Sequence, residues 1–252
     1  MSSVSNKYIT NQEAVPIIES DIFSGHEDNR FALGVFSPEE TTSYTRDSIL
    51  QAYLRLRANV YIDQTGMLEG DLKRHDGTEL DENDERSTHL VLIENKIGRV
   101  AVFACMRLIQ KTLGYESPLP IEEFFPEAFS TPAPLNSVEV SRFISRHDSV
   151  GISLITQRDL MTAGLAHVLD NNLGPVFGVV EPAFEKGLEA MKLPMNRIAE
   201  PKLVPEYNDE NLGFEVDAHE FKRRIGEAAV KRMTIPVGSF AYWGKVLKSS
   251  GN

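Results

Sequence analysis

From Asp47 onward apolar residues recur at helical spacing, with Ile49, Tyr53, Leu56 and Val60 on one face and Thr45 or Asp47 available as N-cap. This predicts a helix over roughly 47–63. Residues 64–87 are polar and rich in Gly, Asp and Glu, a long loop of the kind that carries function. Two β-rich runs follow, Thr88–Glu94 and Arg99–Ile109, joined by a turn at Asn95, Lys96 and Gly98. The Pro-rich stretch 117–136 reads as a surface excursion with a short helix at Ile121–Phe125, before a third strand, Ser137–Ser145. Ile152–Leu173 reads as one long helix stopped by Gly174 and Pro175, followed by a short apolar strand, Val176–Val180. Pro182 opens another helix that runs to Pro194; weaker strands near 197–204 and 212–217 precede a last helix over 218–232. The order predicts an α/β domain over 45–235 with a mixed, largely antiparallel central sheet flanked by helices. Residues 1–44 are expected to be an N-terminal arm or extra small elements, and 236–252 a tail.

Composition narrows this little except through charge. The 252 residues are 41% hydrophobic, enough for one large core, and the net charge of -11 disfavours nucleic acid or an anionic membrane as partner. The single cysteine, Cys105, cannot close an internal disulfide, and no stretch is apolar enough to span a bilayer or act as a secretion signal. A cytoplasmic setting is the expectation.

Several residues stand out against this pattern. Arg57 and Tyr61, four apart, project from one helix face; the plain structural reading is a half-buried aromatic with an arginine at its rim. Glu79, Asp81, Glu82 and Asp84 crowd one loop, where they are either a solvated charge run or a clamp for a cationic group. Arg107 sits in an apolar strand beside Cys105, so it needs an acidic partner, for which the loop acids are candidates. Cys105, with nothing to activate it, reads as a small core residue. In Val138-Glu139-Val140-Ser141-Arg142-Phe143, alternation sends Glu139 and Ser141 one way and Arg142 the other unless a bulge re-aims them. The structural reading of Glu139 is a brace to an arginine; the functional one is a general base for an amine attacking a thioester. The six histidines show no metal-ligand spacing, and the motifs of serine hydrolases, P-loop enzymes and dinucleotide-binding domains are absent.

Taken in order, these segments resemble the acyl-homoserine lactone (autoinducer) synthases. The family's arginine followed four residues later by an aromatic matches Arg57 and Tyr61; its E-x-D-x-x-D segment matches Glu79, Asp81 and Asp84; its strand arginine matches Arg107; its E-x-S-R-F segment matches Glu139, Ser141, Arg142 and Phe143. The resemblance implies an acetyltransferase-like (GNAT) fold and N-acyl transfer, with acyl carrier protein as donor and S-adenosylmethionine as acceptor. It implies a catalytic centre of Glu139, Ser141 and Arg142, with Arg57, Tyr61, Met67, Asp81, Asp84, Arg107 and Phe143 around the substrates. Where the family has a tryptophan after glycine this chain has Gly66 and Met67, and its loop to Glu79 is longer, so an amino acid, as in the similar N-acyl amino acid synthases, stands beside S-adenosylmethionine as acceptor.

The junction Arg146-His147-Asp148-Ser149-Val150-Gly151 holds one glycine, not the glycine-rich turn with which coenzyme A-dependent acetyltransferases cradle pyrophosphate. A carrier-protein donor is therefore expected in place of acyl-CoA. Arg158, Lys186, Lys192 and Arg197 are the candidate cations for docking that acidic partner. The rival readings are an acyl-CoA-dependent N-acetyltransferase and a non-catalytic domain that senses an acyl or amino-acid ligand.

Overall fold

The computed structural model describes residues 18–19, 31–36, 48–96, 99–114, 116–146, 150–191 and 193–224. Eight strands form one sheet in the order β1-β2-β3-β4-β5-β6-β8-β7. They are β1 (Ile18–Glu19), β2 (Phe31–Phe36), β3 (Ser87–Lys96), β4 (Arg99–Gln110), β5 (Val138–Ser145), β6 (Val176–Val180), β7 (Met195–Val204) and β8 (Asp209–Val216). Every pairing is antiparallel except β5 with β6. That parallel pair needs a crossover, which the long central helix supplies. Of the two readings of residues 1–44, an arm or extra elements, β1 and β2 are extra elements that extend the sheet, since β2 pairs along β3.

The helices are α1 (Ser48–Ala58), α2 (Pro120–Phe124), α3 (Val150–Asp170) and α4 (Pro182–Ala190), with a further helical stretch at 218–224. Period-2 alternation divides the sheet residues between two faces. Leu90, Leu92, Ala104, Met106 and Leu108 join Leu160, Met161 and Leu165 of α3 in one core. Val91, Ile93 and Cys105 join Leu50, Tyr53 and Leu54 of α1 in another. Cys105 is fully buried there, and burial pushes its thiol up to about 12, so it is an inert packing residue.

Two elements depart from the sequence pattern. The 47–63 helix is α-helical only to Ala58 and continues as a π-helix over Asn59–Gln64. The 117–136 excursion is not a surface loop. Its Leu119, Ile121 and Phe125 are fully buried in a third core with Ile109, Phe177, Ala199 and Val204. Proline spacing marked the turns here, but the apolar residues between them find a sheet face that only the assembled β4–β5–β6 order provides.

Candidate functional site

The polar part of the site starts from a chain-local device. Asp81 caps the short 3-10 helix Glu82–Arg86: its side chain accepts from the Asn83 N–H at 2.9 Å, and Asp84 Oδ2 accepts from the Asp81 N–H at 2.8 Å. This reciprocal cap turns Asp81 and Asp84 inward while Glu82 stays exposed, so the loop is not simply a solvated charge run. Arg57 of α1 meets Asp84 with two bonds, at 2.6 and 3.0 Å, and also donates to Glu79. Arg107 of β4 meets Asp81 with two bonds, at 2.6 and 2.9 Å, and Asp84 at 3.0 Å. Arg142 donates to Glu79 at 3.0 Å and Asp81 at 2.9 Å.

Three guanidinium groups and three carboxylates therefore close on each other as a buried, formally neutral net. Burial by itself would push the Asp84 carboxyl up, but Arg57 and Arg107 hold it well below the carboxylate range. Glu79 is likewise held down, at about 2, where Arg57 and Arg142 outweigh burial. Tyr53 joins the net: its hydroxyl accepts from Arg57 at 3.0 Å and lies 2.7 Å from His89 Nδ1. Burial lowers the imidazole of His89 to about 4, so it is neutral at pH 7.

The net is anchored to β5 through a bulge. Arg107 faces Ser141 and Cys105 faces Ile144, so Arg142 and Phe143 together stand opposite Met106. Arg142 takes up the extra residue at φ 50°, a left-handed conformation uncommon for a side chain of this size. The strict alternation expected for this segment is broken as a result. Arg142 turns to the α1 face beside Ser141, whose hydroxyl accepts from Arg107 at 3.3 Å, while Phe143 stacks edge-on with Phe184 of α4. The π-helix serves the same bulge: Tyr61 donates to the Phe143 carbonyl at 3.3 Å, and the Arg142 guanidinium lies over the Tyr61 ring at 5.3 Å. Cys105 donates weakly to the Arg142 carbonyl at 3.5 Å.

Beside the bulge the sheet opens. β5 and β6 pair only at Val138–Val176, Glu139–Phe177 and Val140–Gly178, and beyond that point the two strands border a cleft of about 190 Å³. Tyr61, Met67, Glu139, Ser141, Arg142 and Tyr207 give it a largely polar side towards α1. Val140, Met161, Phe184, Leu188 and Phe214 give it an apolar side towards α3 and α4. The cleft thus joins both faces of the sheet.

Glu139 is 1% exposed and lines this cleft. The sequence left a brace to an arginine open; instead Arg142 is taken by Glu79 and Asp81, and Glu139 Oε2 accepts from the Ile121 backbone N–H at 2.8 Å. Burial pushes its carboxyl up to about 7, with the Ile121 N–H, Arg107 and Arg86 pulling the other way. Such a group is half ionised near neutrality, which suits a general base.

Residues 41–224, more than half of the chain, match the family described as autoinducer synthase. The chain belongs to the autoinducer synthase family. It is therefore an acyltransferase that moves an acyl group to an amine, and the reading as a ligand sensor falls away. No curated protein matches the sequence. Among solved structures the fold is similar to that of the AHL synthase LasI, 19% identical with a TM-score of 0.57 over 75% of this chain and 90% of that one. It is also similar to BjaI, a CoA-dependent acyl-homoserine lactone synthase solved with SAM and isopentyl-CoA, at 22% identity and a TM-score of 0.57 over 76% and 88%. FeeM, an N-acyl amino acid synthase from uncultured soil microbes, is 12% identical with a TM-score of 0.54 over 77% and 93%. At these identities the likeness is one of fold, a mixed, largely antiparallel sheet flanked by helices as expected from sequence.

In this member of the family the site residues read from sequence fall into two groups. Arg57, Asp81, Asp84 and Arg107 form the buried net with Arg142, whereas Tyr61, Met67, Glu139, Ser141, Arg142 and Phe143 line the cleft. Of the docking candidates, Lys186 is exposed on α4 and Arg158 lies on α3. Arg197 is paired with Glu185 at 2.6 Å and Glu200 at 3.0 Å, and Lys192 lies outside the described residues. Sequence reasoning missed Tyr207 and Asn211, which reach the cleft from the β7–β8 hairpin. No local pattern marks them; the hairpin tip is placed by a 3-10 turn, Pro205–Tyr207, and by Asn208 at φ 49°. It also missed Tyr53 and His89. The signal for Tyr53 was its spacing, four residues before Arg57 on α1. No described helix is long and apolar enough to cross a membrane, and no cluster of His, Cys, Asp or Glu among the described residues is placed to hold a metal.

Proposed function

We propose that this enzyme moves a fatty acyl group from the pantetheine thioester of an acyl carrier protein to the amine of S-adenosylmethionine or of a plain amino acid. The observation that carries the reading is Glu139, a buried carboxyl titrating near pH 7 where a cleft polar on one side and apolar on the other passes between β5 and β6. The acyl chain lies along Val140, Met161, Leu188 and Phe214, and the acceptor enters from the Tyr61 and Ser141 side. Glu139 Oε1 takes a proton from the amine as its nitrogen attacks the thioester carbonyl carbon. The carbonyl oxygen gains charge beside the bulge of β5, whose backbone N–H groups are the local donors, and collapse breaks the C–S bond and releases the thiol. In this reading Arg57, Asp81, Asp84 and Arg107 act by holding Arg142, and with it the bulge, in place.

The test is thiol release from acyl-carrier protein in the presence of each candidate amine, with the product identified by mass. With S-adenosylmethionine, attack of the acylated acceptor's own carboxylate on its γ-carbon breaks the sulfonium C–S bond, releases methylthioadenosine and gives an acyl-homoserine lactone; an amino acid stops at its N-acyl derivative. Release that no amine stimulates would sink the proposal. The donor has its own contrast. Acyl-carrier protein should exceed acyl-CoA in kcat/KM, and Arg158→Glu with Lys186→Glu should raise KM for the carrier protein severalfold while leaving a short acyl-pantetheine donor unaffected. Equal use of both donors, with no effect of the reversals, would assign the reaction to acyl-CoA.

A further inference from the structure

The excursion between β4 and β5 is closed by a buried ion pair that the reaction itself does not use. Lys111, just past the end of β4, and Glu122 of α2 are each nearly inaccessible, and Lys111 Nζ donates to both Glu122 oxygens, at 3.0 and 2.9 Å. Glu122 Oε2 also accepts from the Leu119 N–H and Oε1 from the Ala133 N–H, both at 2.7 Å. One carboxylate thus ties the start of α2, the far end of the excursion and the end of β4 together. The Lys111 backbone completes the ring, donating to the Ser137 carbonyl at 2.9 Å and accepting from the Asn136 N–H at 2.6 Å. Inside it, the residue next to Glu122 is Ile121, whose N–H lies 2.8 Å from Glu139 Oε2.

We propose that Lys111 and Glu122 are positioning residues for Glu139: their ion pair holds α2 so that the Ile121 N–H stays on Oε2 and Oε1 is left to the acceptor amine. The proposal deepens the assignment of Glu139 as base and rests on it. A carboxyl buried on an apolar sheet face has a strong tendency to stay protonated, and a backbone donor on one oxygen counters it. Other groups also face Glu139: Arg107 from β4, Arg86 from the turn before β3, Glu122 itself from α2 and the Tyr207 phenol from the β7–β8 turn. Removing Glu122 alone would change both the local charge and the geometry. The pair must be removed together.

The experiment is the pH–rate profile of Lys111→Met/Glu122→Gln, which leaves the net charge unchanged and in which the loss of the Ile121 contact outweighs the removal of the upward push that the Glu122 charge exerts on Glu139. The ascending limb near pH 7 should move up by about one unit, the scale of a hydrogen bond to an ionised group. The rate at pH 7 then falls about fivefold and recovers at pH 9, with KM for the acceptor unchanged. Glu122→Asp, which keeps the charge on a shorter arm, should shift the limb the same way by less and serves if the double variant does not fold. A limb that stays in place with the Glu139 carboxyl also unmoved, or a loss equal at every pH, overturns the proposal, because a role in folding alone has no reason to be relieved by base. Titration of the Glu139 carboxyl by carbon-13 NMR, assigned with Glu139→Gln, separates the two readings. If the carboxyl moves up while the rate profile does not, the positioning stands and Glu139 is not the base.

Discussion

Glu139→Gln is expected to keep the fold and lower turnover by about a hundredfold or more, the scale of lost general-base assistance. The amide has the shape of the carboxyl and can still accept from the Ile121 N–H, so the loss isolates proton transfer. Wild-type activity should rise with pH through about 7, because the ionised form is the working one, and the residual activity of the variant should lack that limb. Stability carries the opposite sign. The carboxyl is raised in the folded state from its ordinary 4.5 to about 7, so the folded chain binds more protons than the unfolded one across that window. Wild-type stability contributed by this group therefore falls as pH climbs from 4.5 to 7, whereas the amide has nothing to lose. Urea unfolding should find the variant equal to wild type near pH 4 and more stable at pH 8, by on the order of 1–3 kcal/mol. A folded Gln variant with wild-type rates would remove Glu139 from the base role.

The second large effect is expected at the buried net. Arg107→Met should destabilise the chain by about 3–5 kcal/mol, since it leaves the charges of Asp81 and Asp84 facing each other out of water with only Arg57 and Arg142 against them. Adding Asp81→Asn should cost much less than it does alone, giving a coupling of at least about 1 kcal/mol in a double-mutant cycle. Strictly additive effects would mean that the contacts at 2.6 and 2.9 Å do not govern stability. The pH signature is the reverse of that of Glu139. Glu79, Asp81 and Asp84 are all held below their ordinary values, so their contribution is full above the unfolded carboxylate range, near pH 4, and is lost as pH falls towards 2.

What the sequence determined by itself was the set of parts. An arginine amid Phe103-Ala104-Cys105-Met106 had to find acids, and the dense cluster at 79–84 was the ready supply, so the Arg107 pairing was legible before any fold. Strand and helix periods located the core elements from α1 to β8 within a few residues. Such features are short-range: alternation, capping and the cost of an unpaired buried charge all act within one segment.

Which groups face one another was left to the packing of the whole sheet. Alternation could not say that a bulge puts Arg142 beside Ser141, because the bulge follows from the register of β5 against β4 and from the acids that hold Arg142 at φ 50°. Nor could it say that Glu139 stands without an arginine brace, since that depends on Arg142 being taken by Glu79 and Asp81. The Pro-rich excursion looked solvent-exposed because turn residues dominate it, yet its few apolar residues are buried against Ile109 and Phe177, and this delivers the Ile121 N–H to Glu139. Tyr207 enters the cleft from the β7–β8 hairpin at the far edge of the sheet, a contact between segments 68 residues apart in sequence from Glu139. Pairings at that separation depend on strand order and on the early parting of β5 from β6, quantities set by the whole sheet and written in no single stretch of it.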